Sequence, residues 1–111
     1  MEIIVNGKTY VEKQPEVTAD YVIIRTYSAG VHAGYLKSRN GKEAVLTNSR
    51  RIWYWDGAAS LSQLALEGVT KPENCKFAVV LPEIILTEAI EIISCTKKAK
   101  LCIEAVKEWK A

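Results

Sequence analysis

The chain has 111 residues, 49% of them hydrophobic and 25% charged, with a formal net charge of +2. That length supports one hydrophobic core and not two, and the composition is that of an ordered globular domain. A charge so near neutrality disfavours a role built on phosphate-backbone contacts, which call for a larger or more clustered positive excess.

In chain order, Glu2 to Asn6 and Thr9 to Lys13 flank Asn6-Gly7 and predict an N-terminal hairpin. A polar piece, Gln14 to Asp20 with Pro15, separates it from the rest. Tyr21-Val22-Ile23-Ile24-Arg25-Thr26-Tyr27, rich in β-branched and aromatic residues, predicts a strand, which Ser28-Ala29-Gly30 interrupts. Val31 to Ser38 and Lys42 to Thr47 then flank Arg39-Asn40-Gly41. A two-residue loop at Asn40-Gly41 would pair Leu36 with Val45 and Tyr35 with Leu46. His32, Gly34 and Leu36 would share one face, and Val31, Ala33 and Tyr35 the other. Arg51 to Trp55 reads as a further strand.

Ser60 and Gln63 have capping-box spacing, Leu61, Leu64 and Ala65 form an apolar stripe, and Gly68 suits a helix stop. A short helix is expected there. Lys71 to Asn74 is loop, and Lys76 to Leu81 a strand ended by Pro82. From Glu83 to Cys95 β-branched residues favour strand, although Glu88-Ala89 would tolerate helix. Thr96 caps a last helix with Ala99, Cys102, Ile103 and Val106 on its apolar stripe, and Trp109 anchors its end. The fold class is α+β: a mainly antiparallel sheet of about six or seven short strands, a mid-chain helix and a C-terminal helix.

Apolar runs fall short of the roughly 18–20 residues that span a bilayer. The start, Met1 to Gly7, lacks the basic and long apolar regions of a secretion signal. No membrane role is expected, and the cytoplasm is the expected compartment. Cys75, Cys95 and Cys102 form neither a C-x-x-C pair nor an even framework, and one histidine cannot complete a usual zinc set. They read as buried reduced thiols, with no metal and no cofactor implied.

Arg50-Arg51-Ile52-Trp53-Tyr54-Trp55 holds two guanidinium groups and two of the chain's three tryptophans. On a strand, Arg51, Trp53 and Trp55 would share one side, Ile52 and Tyr54 the other. Arginine offers forked donors to a phosphate, and indole a face to a base. Against that stands a core reading, with the tryptophans inward, the arginine stems covering the sheet edge and Tyr54 outward. His32 has no evident nucleophile partner and reads as a half-exposed strand residue. Ser28 to Gly34 matches neither a dinucleotide fingerprint nor a P-loop, but its small residues permit close backbone approach. Glu83, Glu88 and Glu91 look solvent-facing, and Lys97, Lys98 and Lys100 form a solvated helix face. No catalytic residue is identified, and an enzyme is not expected.

Arg25 to Leu36, Asn48 to Trp55, Gly57 to Ala65 and Lys71 to Phe77, taken together, resemble a small family of uncharacterised proteins of tailed phages and prophages, a domain of unknown function. The resemblance covers roughly residues 21–109 and leaves the hairpin of residues 1–20 as an extension of one domain. It implies a viral setting within a bacterial host cell and carries no mechanism. In that setting the expectation is a non-catalytic accessory protein, homo-oligomeric, that acts as a sponge for a cyclic nucleotide immune signal. The expected ligand or interface residues are Arg25, Tyr27, His32, Asn48, Arg50, Arg51, Trp53 and Trp55. A protein–protein inhibitor of host defence, or a virion-associated module with the aromatic block as hot spot, is the alternative. A single-stranded nucleic-acid binder is a further one.

Overall fold

The computed structural model describes residues 20–111 in full and the backbone of residues 2–5, 8–11 and 17–19. The expected Asn6-Gly7 turn and the segment around Pro15 lie outside the described residues. Strands β1 (Glu2–Val5) and β2 (Lys8–Val11) pair antiparallel in a sheet of their own, with Val5 opposite Lys8. The main sheet has six antiparallel strands: β3 (Val17–Thr26), β4 (Val31–Asn40), β5 (Glu43–Tyr54), β6 (Lys76–Phe77), β7 (Leu81–Leu86) and β8 (Ala89–Thr96). Helices α1 (Leu61–Glu67) and α2 (Lys97–Ala105) complete an α+β fold.

Strand β5 is central. β4 lies along one edge, and β7 and β6 share the other, β7 beside Ala44 to Ser49 and β6 beside Ile52 and Tyr54. β3 flanks β4 and carries β8 on its far side. The two outer strands β7 and β8 are consecutive in the chain, so the sheet must curl to bring them together. Their connection is tied to both ends of that curl: Ala89 N–H donates to the Lys42 carbonyl and Tyr27 N–H to the Glu88 carbonyl, each at 2.9 Å.

Strand alternation builds an apolar cluster on each face of the sheet, two where the chain length led to an expectation of one. Inside the curl lie Val22, Ile24, Ala44, Leu46 and Leu86, packed by Leu36, Ile84 and Ile92. On the other face Tyr21, Ile23, Ala33, Ile52 and Phe77 meet Leu64 and Ala65 of α1 and Ala99 and Ile103 of α2. Each fully buried aliphatic side chain here contributes about 1.5–3 kcal/mol.

Both helices follow their sequence signals. Ser60 Oγ accepts from Gln63 N–H, Gln63 Oε1 accepts from Ala59 N–H, and Gly68 ends α1 at φ 78°. Thr96 Oγ1 caps α2 by accepting from Ala99 N–H and donates to the Leu66 carbonyl. Trp109 lies beyond α2, where its N–H donates to the Phe77 carbonyl and Glu108 makes a parallel bridge to Phe77.

Several boundaries differ from expectation, each for a local reason. β3 begins at Val17, where it pairs with Thr96. The β4–β5 turn is Gly41-Lys42, with Asn40 still paired to Glu43. Gly41 alone has positive φ (60°), as at the first central position of a type II′ turn. The later turn shifts the register by two residues and Lys37, an extra residue in β4, takes one back, so Leu36 pairs with Leu46 and Tyr35 with Thr47, not with Val45 and Leu46. The two strands expected on either side of Asn48 are one strand with a bulge. Pro82 lies within β7, not after a strand: β7 is an outer strand, and its ladder to β5 skips the Asn48–Pro82 position. The region from Glu83 to Cys95 is strand apart from the turn between β7 and β8.

Candidate functional site

The bulge in β5 determines which side chains reach the site. Ala33 pairs with Arg50 and Tyr35 with Thr47, so Asn48 and Ser49 together face Gly34. Asn48 is the one non-glycine residue with positive φ (47°) among the described residues. An extra residue reverses the in–out alternation downstream. Before the bulge, Ala44 and Leu46 point into the curl; after it, Ile52 points to the helices.

Arg50 is carried with Ile52 to the helix side and is 2% exposed. Its Nη1 donates to the carbonyls of Ile103 (2.8 Å) and Val106 (2.7 Å), its Nε to Ala78 (3.1 Å) and its Nη2 to Phe77 (3.2 Å). The guanidinium lies 5.5 Å from the centre of the Phe77 ring. Two of the four acceptors are carbonyls at the C-terminal end of α2, where the last carbonyls run short of i+4 donors and carry the negative end of the helix dipole; Ile103 also accepts from Val106 N–H at 3.3 Å. The expected edge-covering role is therefore not what Arg50 does. It is an internal clamp that ties β5 and the segment after β6 to the end of α2.

Arg51 takes the opposite face and is exposed, and none of the ion pairs among the described residues involves it. It lines a cleft of about 580 Å³ with Ser28, Ala29, Gly30, Val31, Ile52, Trp53 and Trp55. That volume lies within the range of about 300–1,000 Å³ usual for small-molecule sites. Arg51 also lines a smaller cleft of about 180 Å³ with His32, Ala78, Val79, Leu81 and Ile84.

The two indoles do not share one side as strand alternation predicts, because β5 ends at Tyr54 and Trp55 turns back. Trp55 packs against the helix-side core and donates from Nε1 to the Ala58 carbonyl at 3.1 Å. Trp53 is 64% exposed and stacks on Trp109, with ring centroids 6.4 Å apart and planes 17° from parallel. Lys76 Nζ lies 5.4 Å from the Trp109 ring centre. The core reading thus holds for Trp55 in part and fails for Trp53.

The loop wall of the larger cleft is held by Thr26. Its Oγ1 donates to the Gly30 carbonyl (2.7 Å) and accepts from Ala29 N–H (2.8 Å). His32 Nε2 donates to the Ala29 carbonyl at 2.8 Å. A carbonyl only accepts, so Nε2 carries the proton and Nδ1 of the neutral ring is an acceptor. His32 is 1% exposed, not half-exposed as expected. Burial pushes its pKa below the ordinary histidine range; the Ala29 bond opposes that shift, and the Arg51 charge adds to it.

Of the expected site residues, Arg51, Trp53 and Trp55 come together in one cleft, and His32 backs the adjoining one. Arg25 pairs with Glu91 at 3.2 Å on the surface. Tyr27 is 77% exposed beside the cleft loop. Asn48 shapes β5 without lining either cleft, and Arg50 is internal. The acidic residues face solvent, with Glu83 on Lys37, Glu88 on Ser28 and Glu91 on Arg25. Sequence reasoning missed the smaller cleft and the Trp53–Trp109 stack. The small-residue run Ser28 to Gly34 was the signal for the loop wall, but nothing local to Ala78–Leu81 or Trp109 marks where they dock.

The thiols are free, with Cys75 and Cys95 buried and Cys102 partly so. Burial pushes Cys95 up to about 12 and raises Cys75 as well, which disfavours the thiolate form needed for nucleophilic chemistry.

No curated protein and no solved structure matches the chain. A family model described as a domain of unknown function matches residues 19–103, which include every residue of both clefts and exclude the N-terminal hairpin and Trp109. With most of its length so matched, the chain belongs to the DUF6948 family of domains of unknown function.

Proposed function

We propose that this protein is a non-catalytic binding module that captures an aromatic anion of nucleotide type in the larger cleft. One observation carries the reading: Arg51 presents a guanidinium with no acidic partner among the described residues, in a concave site that also holds Trp53 and Trp55. Arginine binds phosphate through forked donors, and indole stacks on a base at about 1–3 kcal/mol per base. The high pKa of Cys95 and the neutral, loop-bound state of His32 favour binding over catalysis. The reading includes the viral setting: a homo-oligomeric protein in the cytoplasm of a bacterial host that sequesters a cyclic nucleotide immune signal. Titration calorimetry with cyclic nucleotides, followed by heat release and chromatography of the ligand, tests it. Recovery of intact ligand, with binding lost in Arg51→Ala, supports the reading. No binding by any cyclic nucleotide removes it, and conversion to a new product makes the protein an enzyme.

A second reading rests on the exposed Trp53, Tyr54, Val79, Val80, Leu81 and Trp109, an apolar and aromatic set of the kind that anchors protein partners. In that case nucleotides leave the melting temperature unchanged, and a stoichiometric host defence protein co-purifies instead.

A further inference from the structure

Arg51 and His32 are direct cross-strand partners in the β4–β5 ladder, a placement that sets their Cβ atoms about 4.5–5.5 Å apart. Arg51 lines both clefts, and His32 lines the smaller one. Arg51 and His32 therefore border one cleft from neighbouring positions of the ladder.

What His32 can offer is fixed by its other nitrogen. With Nε2–H given to the Ala29 carbonyl, Nδ1 presents a lone pair for which the described residues supply no hydrogen-bond donor. Apart from His32 and Arg51, the smaller cleft is lined by apolar residues: Ala78, Val79, Leu81 and Ile84. A volume of about 180 Å³ has room for more than a few waters, so the unpartnered acceptor, and not size, sets what the occupant must offer. The cleft suits a polar group that ends in a donor.

Resting on the nucleotide reading of Arg51, we infer that His32 is a specificity-determining residue that accepts a hydrogen bond from a hydroxyl adjacent to the bound phosphate. In a 3′,5′-cyclic nucleotide that hydroxyl is the ribose 2′-OH. The site then selects ribonucleotides over 2′-deoxyribonucleotides. Once the bound ligand closes over it, an acceptor left without a donor rejects the analogue that lacks the hydroxyl, which is how sites built for a hydroxyl discriminate. The larger cleft takes the base against the indoles, Arg51 takes the phosphate, and the smaller cleft takes the hydroxyl arm.

The test compares 3′,5′-cyclic AMP with its 2′-deoxy counterpart on the wild-type chain by calorimetry. Binding of the ribonucleotide about tenfold tighter is expected, as one hydrogen bond of about 1.4 kcal/mol gives. In His32→Leu the preference should vanish. In His32→Gln, which keeps an N–H for Ala29 and supplies a carbonyl acceptor, it should persist. His32 is the chain's only histidine, so the imidazole ¹⁵N signals of the wild type are unambiguous and give a readout that does not depend on how the variants fold. The Nδ1 signal should move with the ribonucleotide and not with the deoxy form. Equal or tighter deoxy binding overturns the inference, as does a preference that survives in His32→Leu or an Nδ1 signal that ignores the ligand. Each of those outcomes leaves the Arg51 reading standing if Arg51→Ala abolishes binding of both nucleotides. If neither nucleotide binds the wild type, the Arg51 reading and the inference fall together.

Discussion

Gly34 and Ser49 approach so closely across the β4–β5 ladder that a Cβ on Gly34 would lie 3.0 Å from Ser49 Cα and 3.0 Å from the Thr47 carbonyl oxygen. Both are backbone atoms and cannot rotate aside. The contact is made by the bulge at Asn48, whose φ of 47° is left-handed, a region costing most residues about 1–2 kcal/mol. Gly34→Ala should therefore lose about 1–3 kcal/mol of stability. Asn48→Gly should be neutral to within about 0.5 kcal/mol, and Asn48→Val should lose about 1–2 kcal/mol. Urea unfolding of the three variants checks this; an unaltered Gly34→Ala would mean the bulge is wider than described.

Arg50 supports a stronger prediction. Arg50→Met removes the donors to Phe77, Ala78, Ile103 and Val106 and leaves those carbonyls facing an apolar side chain. Phe77 and Ile103 keep backbone donors, from Trp109 N–H and Val106 N–H, so the loss falls on the carbonyls of Ala78 and Val106; at about 1–3 kcal/mol for each buried group left unpaired the total is about 2–5 kcal/mol. Arg50→Lys should recover only part of that, because an ammonium cannot span acceptors arranged for a planar fork. Arg51→Ala, one residue away and exposed, should change stability by less than about 0.5 kcal/mol. Denaturation midpoints for the three variants check this: equal losses at positions 50 and 51 would contradict the division of faces.

The opposite fates of Arg50 and Arg51 also show what the sequence could convey. Helix caps were legible because each depends on a few adjacent residues, Ser60 with Gln63, Gly68 and Thr96, and so was the α+β class; the β4–β5 hairpin was legible in kind, but its turn and register were not. Which side of the sheet Arg50 takes depends on one extra residue at Asn48. Asn-Ser reads locally as a plausible strand or turn, and the inversion emerges only once Gly34 is opposite. The grouping of Arg51, Trp53 and Trp55 was half visible. Strand alternation gave Arg51 and Trp53 correctly and lost Trp55, because the end of β5 is set by its pairing with β6. Trp109 stacks on Trp53 across a separation of chain that no short-range pattern encodes.

His32 makes stability depend on pH. Burial lowers its pKa in the folded chain below 6.5, so between the two values the unfolded chain binds more protons than the folded one. Stability then rises with pH in that window. The contribution is fully present above about 6.5 and is lost as pH falls through the folded value. His32→Gln should flatten this part of the profile while leaving the carboxylate-dependent loss at lower pH. Unfolding free energies measured between pH 5 and 7.5 check it, and a wild-type curve that is flat there would show that His32 is not held neutral by the fold.

The stack of Trp53 on Trp109 yields the last prediction. Trp109 is anchored by its own N–H on the Phe77 carbonyl at 2.8 Å and by Glu108, whose Oε2 accepts from Val80 N–H at 2.9 Å. A stacked aromatic pair is worth about 0.5–1.5 kcal/mol beyond its buried area. Trp109→Ala should thus destabilise by about 1–2 kcal/mol and alter near-ultraviolet circular dichroism through loss of the coupled indoles. Trp53 then loses the ring that fixes its orientation at the rim of the larger cleft. If Trp53 stacks on a ligand base, Trp109→Ala should weaken nucleotide binding several-fold although Trp109 does not line that cleft. Trp53→Ala should abolish the same dichroism signal and weaken binding further. Identical dichroism in wild type and Trp109→Ala would show that the two indoles are not stacked in solution, and the rim would lose its fixed aromatic face.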